Sequence, residues 1–185
     1  MKSTFLLVFV FFILACSDQI HSKEKAVGKT LKGKREGTWK IYYPNGKIKE
    51  ILDYKGDSLH GNRITYYENG KVFTNAHYNM GIFVDSFFLY YQNGQLQWES
   101  WFDSTGKSQG TNKNYYETGE LRAIGQTLND KDEDTTKGFY KNKKIMYFIP
   151  YKNGKKQGTA LYFDEEGKQT KKEIYKDDSL IKTGR

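Results

Sequence analysis

The chain has few of the residues that build cross-linked or reactive sites: of 185 residues, one is cysteine, two are proline and three are histidine. The single cysteine, Cys16, excludes an intramolecular disulfide. The histidines His21, His60 and His77 lack the spacing of metal ligands, and no second cysteine could complete a zinc site. No Ser-His-Asp set is indicated either. We therefore expect a protein that is not an enzyme and that holds no cofactor and no metal.

Long hydrophobic runs are also lacking, apart from one near the start. Residues 5–15 carry no charge and follow Lys2, which is the layout of a secretory signal. The run is shorter than the about 20 apolar residues that span a bilayer. It ends in Ile13-Leu14-Ala15-Cys16, which resembles the bacterial lipobox. We predict a signal peptide over residues 1–15 and a lipid on Cys16, with residues 16–32 as lipidated N-terminus and tether; an uncleaved helix or an ordinary secretory signal are the alternatives.

No block of like charge accounts for the formal net charge of +8. Lysines are spread through the turns and are interleaved with acids, which is typical of a solvated surface. Behind a lipid signal, nucleic acid is not an expected partner. We expect a protein of the bacterial cell envelope, held at a membrane by its lipid and facing the periplasm or the outside, with an anionic headgroup or a cell-wall polymer as further possible contacts.

What the chain does contain is a period. The hexapeptide Tyr42-Tyr43-Pro44-Asn45-Gly46-Lys47 recurs in close copies along the sequence. The glycines that mark these copies are Gly46, Gly70, Gly94, Gly119 and Gly167, at intervals of 24, 24, 25 and 48 residues. Lys143 stands halfway along the last interval, in a copy whose glycine has been replaced. The sequence therefore holds six copies of one unit.

Two further columns support the same register. Two residues after the marker the side chain is aliphatic in five of six copies, and eight residues after it an aromatic side chain occurs in five of six. Each unit predicts a hairpin, with Asn45-Gly46 supplying the positive φ angles of a tight turn. Repetition predicts an all-β, elongated antiparallel β-meander over residues 33–185, built from about six 24-residue hairpins and about twelve short strands.

The paired tyrosines provide a candidate binding face. Neighbouring residues of a strand point to opposite faces, so each pair places one ring on either side of the sheet. We expect the rings to stack at equivalent places in successive repeats, chiefly as structure. On an open face they could also bind a partner. The candidate residues are the first tyrosine of each full copy: Tyr42, Tyr66, Tyr90 and Tyr115.

The pattern of Tyr-Tyr-x-Asn-Gly-Lys, a hydrophobic residue and a later Tyr resembles the MORN-repeat variant of bacterial proteins, many of them grouped as YwqK-like antitoxins. The resemblance covers residues 33 to 175 and implies a hairpin-repeat fold. Our leading hypothesis is a non-enzymatic protein-interaction or scaffold module that recruits another envelope protein, because unpaired sheet edges and aromatic faces are available for binding. A binder of cell-wall glycan or anionic headgroups through aromatic ladders is the second hypothesis. An antitoxin-like partner of a toxin, suggested by the family name alone, is the third.

The last third of the chain departs from the pattern. Thr127 replaces the aromatic residue eight positions after the marker, and Lys143 replaces a glycine. Asp130, Asp132 and Asp134 alternate as calcium ligands do, but the sixth position lacks glycine and the twelfth lacks glutamate. We interpret this run as an acidic turn, with a weak calcium contact left open. Residues 127–143 are where we expect a feature individual to this protein.

Overall fold

Strands make up most of the computed structural model, which describes residues 24–184. The signal peptide and Cys16 lie outside the described residues. No helix occurs within 24–184, so none there is long and apolar enough to cross a membrane. The strands are β1 Lys25–Leu31, β2 Lys34–Tyr42, β3 Ile48–Lys55, β4 Ser58–Tyr66, β5 Val72–Asn79, β6 Ile82–Tyr90, β7 Leu96–Phe102, β8 Gln109–Tyr115, β9 Leu121–Leu128, β10 Lys131–Phe139, β11 Ile145–Lys152, β12 Lys155–Lys156, β13 Gly158–Phe163, β14 Gln169–Lys176 and β15 Ser179–Gly184.

These strands make one antiparallel sheet in which neighbours in sequence are neighbours in space. β12 alone lies off the main path and pairs with β11. At roughly 4.8 Å per strand, the fourteen strands of the path span about 60 Å. The predicted elongated hairpin meander is confirmed, as an open sheet of 15 strands.

The sheet begins earlier than the sequence pattern predicts. β1 occupies Lys25–Leu31, inside the range 16–32 that was assigned to the tether. It lacks the Tyr-Tyr motif, but it pairs with β2 from Lys25 to Leu31 and leads into the same kind of two-residue turn as later strands. β1 is therefore the second half of a repeat whose first half has no counterpart among the described residues, and backbone pairing rather than a sequence motif defines it.

The Asn-Gly turns differ from the tight two-residue turn that the sequence predicts. Tyr43 N–H donates to the Lys47 carbonyl at 2.8 Å, which closes a loop of three residues. Gly46 has a φ of 83°, whereas Asn45 is not in the left-handed region. The Asn45 side chain instead accepts from the Lys47 amide at 3.0 Å. This is the three-residue hairpin loop with glycine at its left-handed position, and Asn serves by its side-chain hydrogen bond.

True two-residue turns connect the strands at their other ends, opposite the Asn-Gly turns. Both of their central residues have positive φ, which defines type I′ and matches the twist of the strands. They are Lys32-Gly33, Gly56-Asp57, Met80-Gly81, Asn129-Asp130, Asn153-Gly154 and Asp177-Asp178. The turn between β7 and β8 is the exception: Asp103 N–H donates to the Lys107 carbonyl at 2.9 Å, so this loop has three residues. The extra residue explains the single 25-residue interval.

The most buried side chains form a single row across one face of the sheet, which we call the spine. Backbone pairing places most of its members side by side. Side-chain proximity joins Ser100 to Asn112 and Gly125 to Thr136, and the register of β11 and β13 continues from Ile149 to Ala160. They are Trp39, Leu52, Arg63, Ala76, Phe87, Ser100, Asn112, Gly125, Thr136, Ile149, Ala160 and Glu173. All side chains buried within residues 24–184 lie in this row, with the exception of Val84. In its middle, the small Ala76, Ser100 and Gly125 stand between larger neighbours, so the row packs without a second layer.

Candidate functional site

The second tyrosine of each pair joins its repeat to the next one. Its hydroxyl donates to a backbone carbonyl at the end of the next repeat's first strand. The bonds run from Tyr43 to Tyr66 (2.5 Å), Tyr67 to Tyr90 (2.6 Å), Tyr91 to Tyr115 (2.8 Å), Tyr116 to Phe139 (2.8 Å) and Tyr140 to Phe163 (2.7 Å). These hydroxyls satisfy strand-end carbonyls, so their role is to hold successive hairpins together.

At the other ends of the strands, the hydrogen bonds run from a repeat to the preceding one. The amide of a type I′ turn donates to a carbonyl of the preceding repeat, as Asp57 N–H does to Arg35 at 3.0 Å. The Asp57 carboxylate then accepts from the Arg35 amide at 2.8 Å. Asp130 and Asp178 repeat both contacts with their own partners. Turns at both ends of the strands therefore join successive repeats, except that the loop at Asp103–Lys107 makes only bonds within itself among the described backbone contacts.

The four candidate tyrosines, Tyr42, Tyr66, Tyr90 and Tyr115, are half-buried and end the first strand of their hairpins. No ring contact within residues 24–184 joins any two of them, so the expected stacked ladder of rings does not form there. Equivalent rings are two strands apart, roughly 9.6 Å, which is too far for stacking. Tyr66 lines a cavity of about 370 Å³. Each ring thus has its own surroundings.

Tyr115 belongs to a polar cluster on the face opposite the spine. Its hydroxyl donates to Glu99 Oε1 at 3.0 Å, and Lys113 Nζ donates to the same oxygen at 2.7 Å. Burial and its hydrogen bond to Glu99 raise the pKa of Tyr115, and the separate hydrogen bond from Lys113 to Glu99 raises the pKa of Lys113. Close by on the same face, Trp101 is 45% exposed and packs edge-on against Phe88, with centroids 6.1 Å apart. We call these five residues the Trp101 surface.

The spine face carries a polar notch at the same level of the sheet. It has a volume of about 550 Å³ and is lined by the rings of Trp98 and Phe102 and by Asn112, Asn114 and Thr127 among others. Thr127 stands where the other repeats place an aromatic residue, and it accepts from Asn112 Nδ2 at 2.8 Å. Because Thr127 has no ring, a depression is open at this position, and the Asn112 amide lines it.

The strands flanking the notch are loosely paired. β7 and β8 share only the pairs Trp98–Asn114 and Glu99–Lys113 as a ladder, followed by one isolated bridge at Phe102. Between the ladder and the bridge, Ser100 and Trp101 form no backbone pair with β8. This gap in the pairing lies beside the notch, which Ser100 also lines.

The acidic run does not converge on an ion. Asp130 and Asp132 line the notch, whereas Asp134 lines a cavity of about 490 Å³ that also contains Phe148 and Leu161. Asp130 Oδ1 already accepts from the Ser108 amide at 2.7 Å. Among residues 24–184, no three His, Cys, Asp or Glu residues are grouped as metal ligands. Asp134 lies in the irregularity of pairing between Glu133 and Lys137, where its φ is 60°, so it does not share the surroundings of Asp132.

Comparison with known proteins finds a similarity for part of the chain. Three of the repeats match the MORN repeat variant. The matched segments are residues 35–55, 59–80 and 108–129, each covering one hairpin from first strand to second. No curated protein matches the chain. Among solved structures, a porin-like protein from Bacteroides uniformis is 11% identical, with a TM-score of 0.22 over 79% of this chain and 88% of that one.

The MORN-variant repeat alone does not predict Trp98, Trp101, Asn112 or Asn114 as surface features. Two signals in the sequence pointed near them. One is the 25-residue interval, which falls between β7 and β8, and the other is Thr127 in an aromatic column. Neither signal gives the face on which a tryptophan lies, because that depends on where the strand pairing shifts.

Proposed function

We propose that the chain is a non-enzymatic interaction module that binds a protein partner of the cell envelope through the Trp101 surface. The observation that carries the proposal is an exposed tryptophan held in place on a rigid sheet. Trp101 presents its ring to solvent while Phe88 supports it from the side. Tryptophan is the residue most enriched among the dominant contacts of protein interfaces, and a fixed ring loses little entropy on binding.

The neighbours of Trp101 suit a protein surface. Glu99 accepts from both Lys113 and Tyr115, which fixes three polar side chains beside the ring. An apolar anchor with a polar rim is the usual composition of an interface. The MORN-variant repeats support this role because a sheet whose repeats are joined by hydrogen bonds at the strand ends presents the apolar anchor and its polar neighbours at fixed spacing.

The test compares two tryptophans of one strand. Trp101→Ala removes the proposed anchor, and Trp98→Ala, on the opposite face of β7, is the matched control. The immobilised protein is incubated with solubilised membranes of the native host, and retained proteins are quantified by mass spectrometry. We expect a defined protein that the wild type and Trp98→Ala retain and that Trp101→Ala retains at least tenfold less, about 1.4 kcal/mol or more. Retention that is insensitive to Trp101→Ala would refute the proposal.

We also propose that a lipid on Cys16 holds the module at a membrane of the cell envelope, facing the periplasm or the outside. The support is the uncharged run over residues 5–15 that ends in Ile13-Leu14-Ala15-Cys16. Growth with labelled palmitate tests it: we expect label in the wild type and none in Cys16→Ser. Label that persists in Cys16→Ser would place the lipid elsewhere or exclude the anchor.

A further inference from the structure

The notch on the spine face has walls that are held in place before any ligand arrives. Trp98 packs against Phe87 with centroids 5.4 Å apart, and Phe102 packs against Phe83 at 4.4 Å. Each wall therefore has a second ring behind it. A ring fixed in this way can accept a flat ligand surface with little loss of side-chain entropy.

The floor of the notch is a fixed amide. Ser100 Oγ donates to Asn112 Oδ1, and Asn112 Nδ2 donates to Thr127 Oγ1 at 2.8 Å. Ser108 Oγ also lies 2.8 Å from Thr127 Oγ1. These contacts set the orientation of the Asn112 amide, and among residues 24–184 its second N–H has no partner. Ser100 is buried, so the support for this amide comes from below the surface of the sheet.

The sides of the notch offer further hydrogen-bonding groups. The Asn114 amide and the Asp132 carboxylate line it, and within residues 24–184 neither side chain makes a hydrogen bond. The amide supplies donors and an acceptor, and the carboxylate supplies acceptors only. A ligand with hydroxyl groups, which both donate and accept, could bond to all of them.

We propose that the notch binds one pyranose ring of an uncharged oligosaccharide. The apolar C–H face of the sugar would lie against Trp98 or Phe102, and its hydroxyls would bond to Asn112, Asn114 and Asp132. A small number of placed polar groups beside aromatic walls is the usual composition of a small-ligand site. The carboxylates of Asp130 and Asp132 disfavour an anionic ligand such as a phosphate headgroup, since no Lys or Arg lines the notch.

The site lies on the opposite face from the Trp101 surface, so the two proposals fail separately. The ¹⁵N-labelled full-length protein is titrated with cellotriose, maltotriose and chitotriose, and separately with choline as a cationic probe. We expect at least one trisaccharide to produce saturable shifts of the Trp98 indole and Asn112 amide resonances. Trp101→Ala should bind the same sugar with unchanged affinity.

Two variants check the contacts. Trp98→Ala should weaken the sugar at least tenfold, and Asn114→Ala, a change at an exposed position, should weaken it while the backbone spectrum is preserved. The proposal is overturned if no trisaccharide produces saturable shifts or if Trp98→Ala and Asn114→Ala both bind as the wild type does. Saturable shifts with choline and none with the sugars would also overturn it and assign the notch to a cation.

Discussion

Lys143 permits a direct test of the backbone strain stored in one repeat. It has a φ of 67° in the position that glycine occupies in the other five Asn-Gly-type turns. The turn is nevertheless formed, since Tyr140 N–H donates to the Lys144 carbonyl at 2.9 Å. A left-handed conformation costs a residue with a side chain about 1–2 kcal/mol. Glycine avoids that strain but loses about 0.5–1 kcal/mol more entropy on folding.

Lys143→Gly should therefore raise the free energy of unfolding by about 0.5–1 kcal/mol. For a chain of this size, that corresponds to about 1–4 °C in Tm. The mirror variant Gly70→Lys should lower stability by a similar amount, because no atom lies within 4 Å of the Cβ it would add at Gly70 and only the backbone is strained. Thermal and urea unfolding followed by circular dichroism measure both changes.

A charge effect has to be separated from the strain. Lys143 and Lys141 contribute to lowering the pKa of Glu120, after the larger effects of the Thr118 hydroxyl and the backbone amide. Lys143→Ala removes this charge and keeps the strained φ, so it should leave stability nearly unchanged. If Lys143→Gly is no more stable than Lys143→Ala, the strain at this position does not exist and the reasoning fails.

Three other changes test the packing. Tyr91→Phe removes a hydroxyl that bonds to the next repeat at 2.8 Å and should lower the free energy of unfolding in urea by about 1 kcal/mol. Tyr42→Phe, whose hydroxyl makes no hydrogen bond within residues 24–184, should lower it little. Equal losses would contradict the role of the Tyr91 hydroxyl in joining the repeats. Gly138→Ala would place a methyl group 2.2 Å from the Tyr147 ring and should cost about 1–3 kcal/mol, so an unchanged urea midpoint would show that this ring is free to move. Burial raises the pKa of Glu173, but hydrogen bonds from neighbouring tyrosines and a lysine lower it by more, so its net pKa is below the ordinary 4.5. The resulting stabilisation is present above the unfolded-state pKa and is lost as pH falls through the folded-state pKa. Glu173→Gln should therefore reduce the loss of stability at acid pH, and an unchanged pH dependence would show that other groups cause it.

The repeat period was sufficient to predict the hairpins, their antiparallel order and the copy at Lys143 whose glycine is missing. It succeeds because turns are local, and a glycine or asparagine at a fixed offset acts within a few residues. The start of the sheet was misplaced because β1 has no such turn before it among the described residues. The turns of two residues were also not recognised as type I′, since Lys32 and Met80 are uncommon residue types at positive φ.

The rows of the sheet could not be predicted from the period. The spine joins Phe87 to Ser100 and Ser100 to Asn112 across strands, and these neighbours depend on where the pairing shifts. A shift of one residue would turn each side chain to the other face. Trp98 and Trp101 are three residues apart in one strand, so alternation alone places them on opposite faces. Only the register shows that Trp98 shares its face with the spine.

Hydrogen bonds between repeats at the strand ends explain why the residue types in the middle of this sheet can vary. In a layered protein the core residues hold the elements together, so each substitution there affects the whole fold. In this sheet, tyrosine hydroxyls join the repeats at one edge and turn amides join them at the other. The spine position on each second strand therefore tolerates residues as different as Leu52, Ser100 and Glu173. Replacing a ring by Thr127 can then open a notch locally, while the neighbouring hairpins keep their register.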